Sequence, residues 1–510
     1  MAFNSLPNEI LAQICSCLCF HCRNPGMFPN SNTKESRMDK ITLARLCRAS
    51  KMLCSFAQPV LFHYYATGNL ARSVRTDFQE YNRSWDVEYW NFEDDKLPAF
   101  LRSLITRPDL ALCVKSLQLQ GFGDQDLCSP ELMRLLFNAG NALNFKPPAG
   151  WRWKGWAEEP EDWSDYEPPT NRTYIVSYEN FHPDFLDFHD WLRALAIALT
   201  PRTEMLMYIC EGLSELDSFK ETKTVLPALK TLALRGANDE DYFLSSIHPL
   251  LTVAPNLETL YALDCNGVKN SPSRYSLVAK GDMWIENLAV NKVHKLVLDE
   301  IPPAVFEKLI ERFVQLEDLE YYIYSWANYP NIMQAISPTK GRLRRLCFGY
   351  LPPPAPGHYE SRLPDNDYAT ITSLQEFTQL EELVIDQALL YRKSDGPKGT
   401  ILVTLLPSIR RIHLTYVYKS MYEDLMSLAH EAPRSFPNLR SLKIGLSSPI
   451  PPNRIAEIEK MKAVESTFVS MGVHVSWAED LKGPFLYTAI PGGAPGLTVT
   501  HVPASSGVWE

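Results

Sequence analysis

The sequence predicts an α/β chain: a three-helix module at the N-terminus, then an irregular solenoid of strand-helix repeats with parallel strands on its concave face and helices outside. Three observations predict it. From residue 114 onward an apolar-x-x-apolar-x-apolar template recurs nine times. The stretches between these templates carry helical periodicity. Residues 5 to 65 alternate helical patterns with one polar loop. The expected boundaries are 1–65 for the helical module, 66–480 for the repeats with a Trp-rich acidic insertion near 140–185, and 481–510 for an extended or disordered tail.

In the first region Pro7 suits a helix's first turn and Glu9 its electropositive end, after which Ile10, Leu11, Ile14 and Leu18 recur at helical intervals. The segment HCRNPGMFPNSNTKESRMD (21–39), rich in Asn, Pro, Ser and charge, reads as an exposed loop. Leu43, Leu46 and Cys47 share one face of a second helix, and Leu53, Phe56 and Ala57 one face of a third, which Pro59 is expected to end before Val60, Leu61 and Phe62. A unit this small buries too little surface to be comfortably stable alone, so it calls for a partner or serves as a cap on the adjoining domain.

The nine templates are Val114/Leu117/Leu119, Leu229/Leu232/Leu234, Leu257/Leu260/Ala262, Val293/Leu296/Leu298, Leu316/Leu319/Tyr321, Leu343/Leu346/Phe348, Leu380/Leu383/Ile385, Ile409/Ile412/Leu414 and Leu439/Leu442/Ile444. A tenth sits at Thr203/Leu206/Tyr208, and Val473/Val475 mark a last parallel strand. From 229 to 439 seven steps span 210 residues, 30 on average, with single steps from 23 to 37. Helical stretches lie between them at 304–315, 368–377 and 422–432. The insertion WRWKGWAEEPEDWSDYEPP (151–169) cannot be repeat core and reads as a surface loop or a substrate-contacting element.

Alternate side chains of a strand face opposite ways, so the positions between the apolar ones are expected to face solvent. Taken along successive repeats, the residues before the second apolar position are Lys295, Asp318, Arg345, Glu382 and Arg411, an alternating-sign series. Neighbouring rows add Tyr261, Glu320, His413 and Lys443, then Arg235, Asp299, Tyr322 and Asp386. Two readings stay open: a charged surface that selects a partner, or a ladder of pairs that satisfies itself.

With 60 acidic and 50 basic residues the net charge is −10, which argues against broad nucleic-acid or anionic-lipid binding. No apolar run is long enough to span a bilayer and no secretory leader is evident, so a cytoplasmic or nuclear location is expected. The sequons at Asn82 and Asn171 then carry no weight. No GxSxG, HExxH or GxxxxGK[ST] motif is present, Gly121-Phe122-Gly123 lacks a third glycine, and His413 reads as a surface polar residue; no catalytic residue and no cofactor is expected. Eleven irregularly spaced cysteines suit reduced thiols. Cys19-Phe20-His21-Cys22 with Cys15 and Cys17 nearby could hold zinc, but Cys15, Cys17 and Cys19 on one helix would point to different faces. No metal site is therefore assigned, and these thiols are taken as small buried hydrophobes.

The order LPNEIL, loop, ITLARLCRASKMLCSFAQPVLFHYY resembles the F-box, the adaptor-binding module of receptor subunits in cullin-type ubiquitin ligases, although residues 20–38 are longer than that family's usual turn. PALKTLAL, APNLETLYAL and FPNLRSLKI resemble leucine-rich repeats, with Cys265 where that family places Asn or Cys. The resemblance implies a non-catalytic substrate receptor. It implies that Leu6, Pro7, Ile10, Leu11, Ile14, Leu43, Leu46, Val60 and Leu61 form or support a surface for a Skp-type adaptor joined to a cullin scaffold. The concave face, including Arg235, Tyr261, Lys295, Asp318, Glu320, Tyr322, Arg345, Glu382, Arg411 and His413, would hold a protein substrate. The chief rival is a repeat scaffold acting outside ubiquitination, and a second is an enzyme with its site grafted on repeat loops around the Trp-rich insertion.

Overall fold

The computed structural model describes residues 6–26, 28, 34–66, 97–119, 130–145, 183–210, 216–236, 247–263, 285, 288–299, 301, 303–323, 332–350, 371, 373–390, 401, 404–417, 421–446 and 455–479. The Trp-rich segment at 151–169 and the tail at 481–510 lie outside them. The chain divides into two units, the first built mainly from Met1–Leu229 and Pro249–Pro255, the second from Lys230–His248 and Asn256–Ile490.

The first unit opens with α1 (Asn8–Cys17), for which Pro7 is the N-cap; its carbonyl accepts the Ile10 and Leu11 amides at 3.1 and 3.2 Å. Next come α2 (Phe20–Arg23), α3 (Lys34–Ala49) and α4 (Lys51–Leu61), the last capped by Ser50, whose Oγ accepts the Leu53 amide at 3.1 Å. Among the described residues there are thus four helices where three were expected. The loop expected over 21–39 is shortened from both ends, because KESRMD consists largely of good helix formers and joins α3. Pro59 does not end α4. It lies in the last turn, where only its own missing amide is lost, and the Phe62 amide still reaches the Gln58 carbonyl at 3.3 Å. Cys15, Cys19, Leu43, Ala57, Val60 and Tyr64 form the buried core of these helices, with Leu46, Cys47, Phe56 and Leu61 packed against it.

The unit continues with β1 (Tyr64–Ala66), α5 (Leu97–Thr106), α6 (Pro108–Ala111), β2 (Ser116–Leu119), α7 (Pro130–Ala142), α8 (Pro183–Leu199) and β3 (Met205–Cys210). β2 pairs parallel with both β1 and β3, aligning Tyr65, Leu117 and Leu206.

In the second unit β4 (Thr231–Gly236), β5 (Thr259–Leu263), β6 (Lys295–Asp299), β7 (Asp318–Ile323), β8 (Arg345–Tyr350), β9 (Glu382–Asp386), β10 (Arg411–Val417), β11 (Ser441–Leu446) and β12 (His474–Glu479) run in sequence order, each parallel to its neighbour. The register stacks Leu232, Leu260, Leu296, Leu319, Leu346, Leu383, Ile412, Leu442 and Val475 in one buried row. Burying each of these side chains is worth roughly 1.5–3 kcal/mol. Between strands lie α9 (His248–Val253), which apart from His248 belongs to the first unit, and, in the second unit, α10 (Pro303–Arg312), α11 (Ile332–Ile336), α12 (Tyr422–Ser435) and α13 (Ile455–Ser470). The helix expected over 368–377 is absent from its described residues, 371 and 373–377. There the Ile371 and Leu374 amides bond the Leu389 and Thr404 carbonyls, which leaves them unable to serve a local helix.

One backbone device repeats. The carbonyl just before each strand from β4 to β10 accepts two consecutive amides from the next repeat: Lys230 O takes those of Glu258 and Thr259, Glu258 O those of His294 and Lys295, and the series continues through His294, Glu317, Arg344, Glu381 and Arg410. In the first unit His63 O receives Lys115 and Ser116, and Lys115 O receives Glu204 and Met205. Among the described residues no helix is long and apolar enough to cross a membrane.

Candidate functional site

On the helical module, Pro7 and Ile10 are exposed at the start of α1, Ile10 by 41%. Leu6 and Ile14 are half-buried, whereas Leu11 turns inward. Leu43 and Val60 belong to the module's own core, and Leu46 and Leu61 pack on it, so these four can support an outer surface but not form one. Met38 and Ile41, one turn apart on α3, are also exposed and apolar.

The charged series falls on one line of the second unit. Lys295, Asp318, Arg345, Glu382 and Arg411 are register partners across β6 to β10. Lys295 Nζ lies 3.5 Å from Asp318 Oδ2; Arg345 donates Nη1 to Asp318 Oδ1 at 2.9 Å and Nε to Glu382 Oε1 at 3.3 Å; Arg411 Nη2 reaches Glu382 Oε2 at 2.6 Å. Beneath them Glu320 is buried, bonded by Arg345 Nη1, by the Tyr322 hydroxyl at 2.9 Å and approached by Lys295 at 3.6 Å. Three cations thus face three carboxylates.

This arrangement corrects the expectation that the intervening rows face solvent. Tyr261, Glu320 and Tyr322 are each at most 2% exposed. Long cations fold over them: Lys295 Nζ sits 5.6 Å from the Tyr261 ring centroid, and Arg345 covers Glu320. The Tyr322 ring lies across Gly349, whose missing side chain leaves it room. His413 is half-buried, and the Arg235 side chain lies outside what the structure describes. Burial alone would depress the Arg345 guanidinium, but the Glu320 and Asp318 carboxylates outweigh it and hold its pKa above the ordinary value. The Lys295 ammonium is raised in the same way against its own burial, chiefly by Glu320. Burial pushes the Tyr261 phenol up to about 12. The row is a self-paired ladder, and its exposed margin is basic: Arg410 and Arg411 have side chains 60% and 64% exposed, and Arg440 is exposed beside them on the neighbouring repeat.

A second constellation was not assigned from the sequence. α1 ends at Cys17, so Cys19 does not share its helix with Cys15 and Cys17; it caps α2, which carries His21 and Cys22. His63, just after α4, arrives beside them. The donor atoms of Cys19, His21, Cys22 and His63 all lie within 4.8 Å of one another. Cys22 Sγ is 3.2 Å and Cys19 Sγ 3.9 Å from His63 Nδ1. Hydrogen bonding to Cys22, aided by burial, pushes the Cys19 thiol up; Cys19, then His21 and His63, hold the Cys22 thiol far below the ordinary range. The CFHC segment was the visible half of this signal, and His63 stands 41 residues beyond Cys22.

Compared with known proteins, the chain matches no family model and no curated protein.

Proposed function

We propose that the protein is a non-catalytic receptor whose helical module docks a Skp-type adaptor and whose strand repeats hold a protein substrate for a cullin-type ubiquitin ligase. The observation that carries this reading is the exposure of Pro7 and Ile10 at the start of α1, in the LPNEIL segment that resembles the F-box, over a module whose remaining apolar residues are largely committed to its own core. Ile10 on α1 and Met38 and Ile41 on α3 are apolar side chains of the kind a partner helix covers. Such a receptor acts by raising the local concentration of substrate lysines near a ubiquitin-loaded conjugating enzyme and needs no active site. On the substrate side, the exposed Arg410 and Arg411, which share their carboxylate partners Glu381 and Glu382 with Arg344 and Arg345, favour an acidic segment together with the exposed Arg440.

The test is co-expression of the full chain with a Skp-type adaptor and a cullin, then pull-down of the wild type and of Ile10→Asp. Because Ile10 is 41% exposed, the substitution leaves the core intact. The expected result is capture of both partners by the wild type and loss of both by the variant. Adaptor capture without a cullin would favour assembly outside ubiquitination. A wild type that captures neither, or a variant that captures both equally well, overturns the proposal.

A further inference from the structure

We infer that Cys19, His21, Cys22 and His63 form a structural zinc site. Zinc bonds thiolate sulfur at about 2.3 Å and imidazole nitrogen at about 2.0–2.1 Å, so a tetrahedral Cys2His2 shell separates its donors by roughly 3.3–3.8 Å. The observed separations of 3.2 and 3.9 Å already lie close to those edges, and the widest, 4.8 Å, needs a contraction of about 1 Å. The donors come from two distant segments, as a closed structural site requires. Cys19 precedes α2 while His21 and Cys22 lie on it, which lets adjacent residues approach one point from different directions.

An independent observation points to a ligand. His21 Nδ1 is buried without a hydrogen-bond partner, an arrangement that costs roughly 1–3 kcal/mol unless something occupies it. His21 and His63 also stand edge to face with ring centroids 5.7 Å apart, so both imidazoles border the two sulfurs. Two thiols and two imidazoles, with no carboxylate in the cluster, suit zinc rather than magnesium or calcium.

The site also has a structural task. His63 closes α4 and its carbonyl accepts the Lys115 and Ser116 amides at 2.8 and 3.0 Å, so an ion held by its ring would tie the α2 corner to the start of β1 and its pairing with β2. A helical module of this size gains from such a staple, and the metal's binding energy becomes folding energy. The inference is independent of the adaptor reading, and its test involves no adaptor.

The experiment uses reduced, chelator-stripped full-length protein titrated with Zn2+, with bound metal quantified after dialysis, and with Co2+ as an absorbing stand-in. One equivalent of zinc is expected, with tetrahedral cobalt bands, a sulfur-to-cobalt charge-transfer band and thermal stabilisation on zinc addition. Cys22→Ser and His63→Gln should lose the bound equivalent, while Cys17→Ser, at an exposed position outside the cluster, should keep it. Should either cluster variant fail to fold, X-ray absorption of the zinc-loaded wild type carries the test through a shell of two sulfurs and two nitrogens. No retained zinc in the wild type, an equivalent that persists in both cluster variants, or a shell of other composition overturns the inference.

Discussion

Replacing Arg345 by Met separates a structural role for the ion ladder from mere surface decoration. Arg345 bonds Asp318 at 2.9 Å, Glu382 at 3.3 Å and the buried Glu320, whose side chain is 3% exposed. Lys295, Arg345 and Arg411 balance Asp318, Glu320 and Glu382, so the substitution leaves one uncompensated negative charge. It also strands Glu320 with Lys295 at 3.6 Å and the Tyr322 hydroxyl. Removing one partner of a buried pair costs roughly 3–5 kcal/mol, and each of the two partly exposed contacts adds up to about 0.5 kcal/mol. The expected loss is about 4 kcal/mol in urea unfolding of the full chain, read in the transition that carries the second unit. A companion Arg345→Met/Glu320→Leu variant should recover most of it, because an apolar pair escapes the desolvation penalty. Molar salt should leave the penalty largely in place, since buried charges are weakly screened. A loss under about 1 kcal/mol, or one that salt abolishes, would refute the reasoning.

Gly140→Ala probes the packing of α7 in the first unit. A Cβ there meets the Phe145 carbonyl oxygen and Trp191 Cζ2 at 2.8 Å each, and neither a backbone oxygen nor a buried indole gives way easily. A loss of roughly 1–3 kcal/mol is expected as a lower thermal midpoint, despite alanine's better helix propensity; an unchanged midpoint would show that the helix shifts freely. Tyr261 gives a pH dependence of fixed sign. Its folded pKa of about 12, raised by burial, exceeds the unfolded value near 10, so its contribution is complete below about pH 10 and is lost as pH rises through about 12. That contribution is worth up to roughly 2–3 kcal/mol. Tyr261→Phe should therefore lose less stability than the wild type between about pH 9 and about pH 11.5 in urea midpoints, and parallel curves would contradict the assignment.

The parallel strands were legible because each repeat must present two or three core residues at fixed spacing, and all eleven strand signals from Val114 to Val475 fall on or just before a strand. The sign alternation from Lys295 to Arg411 was legible for the same reason, since a common register puts like positions side by side. β1 was not, because its three residues carry no template. A period of two tells which face a residue takes but not what lies over it, which is why Tyr261, Glu320 and Tyr322 were expected in solvent. The Cys-His cluster was half legible. The CFHC half was misjudged because it depends on where α1 stops, and helix ends shift easily by a residue or two; the other half, His63, is brought in only by tertiary packing 41 residues further on.

The staircase of twice-used carbonyls has an evolutionary consequence. Alignment between neighbouring repeats is handed on by main-chain atoms, which every residue except proline supplies in full, so the side chains at Lys230, Glu258, His294, Glu317, Arg344, Glu381 and Arg410 are not needed for it and add only surface pairs such as Lys230–Glu258 and Arg344–Glu381. Spacings of 23 to 37 residues coexist because the connections absorb insertions while each step restarts from the same two amides. Lineages could therefore rewrite this polar row residue by residue, acquiring new partners, without passing through a misaligned ancestor.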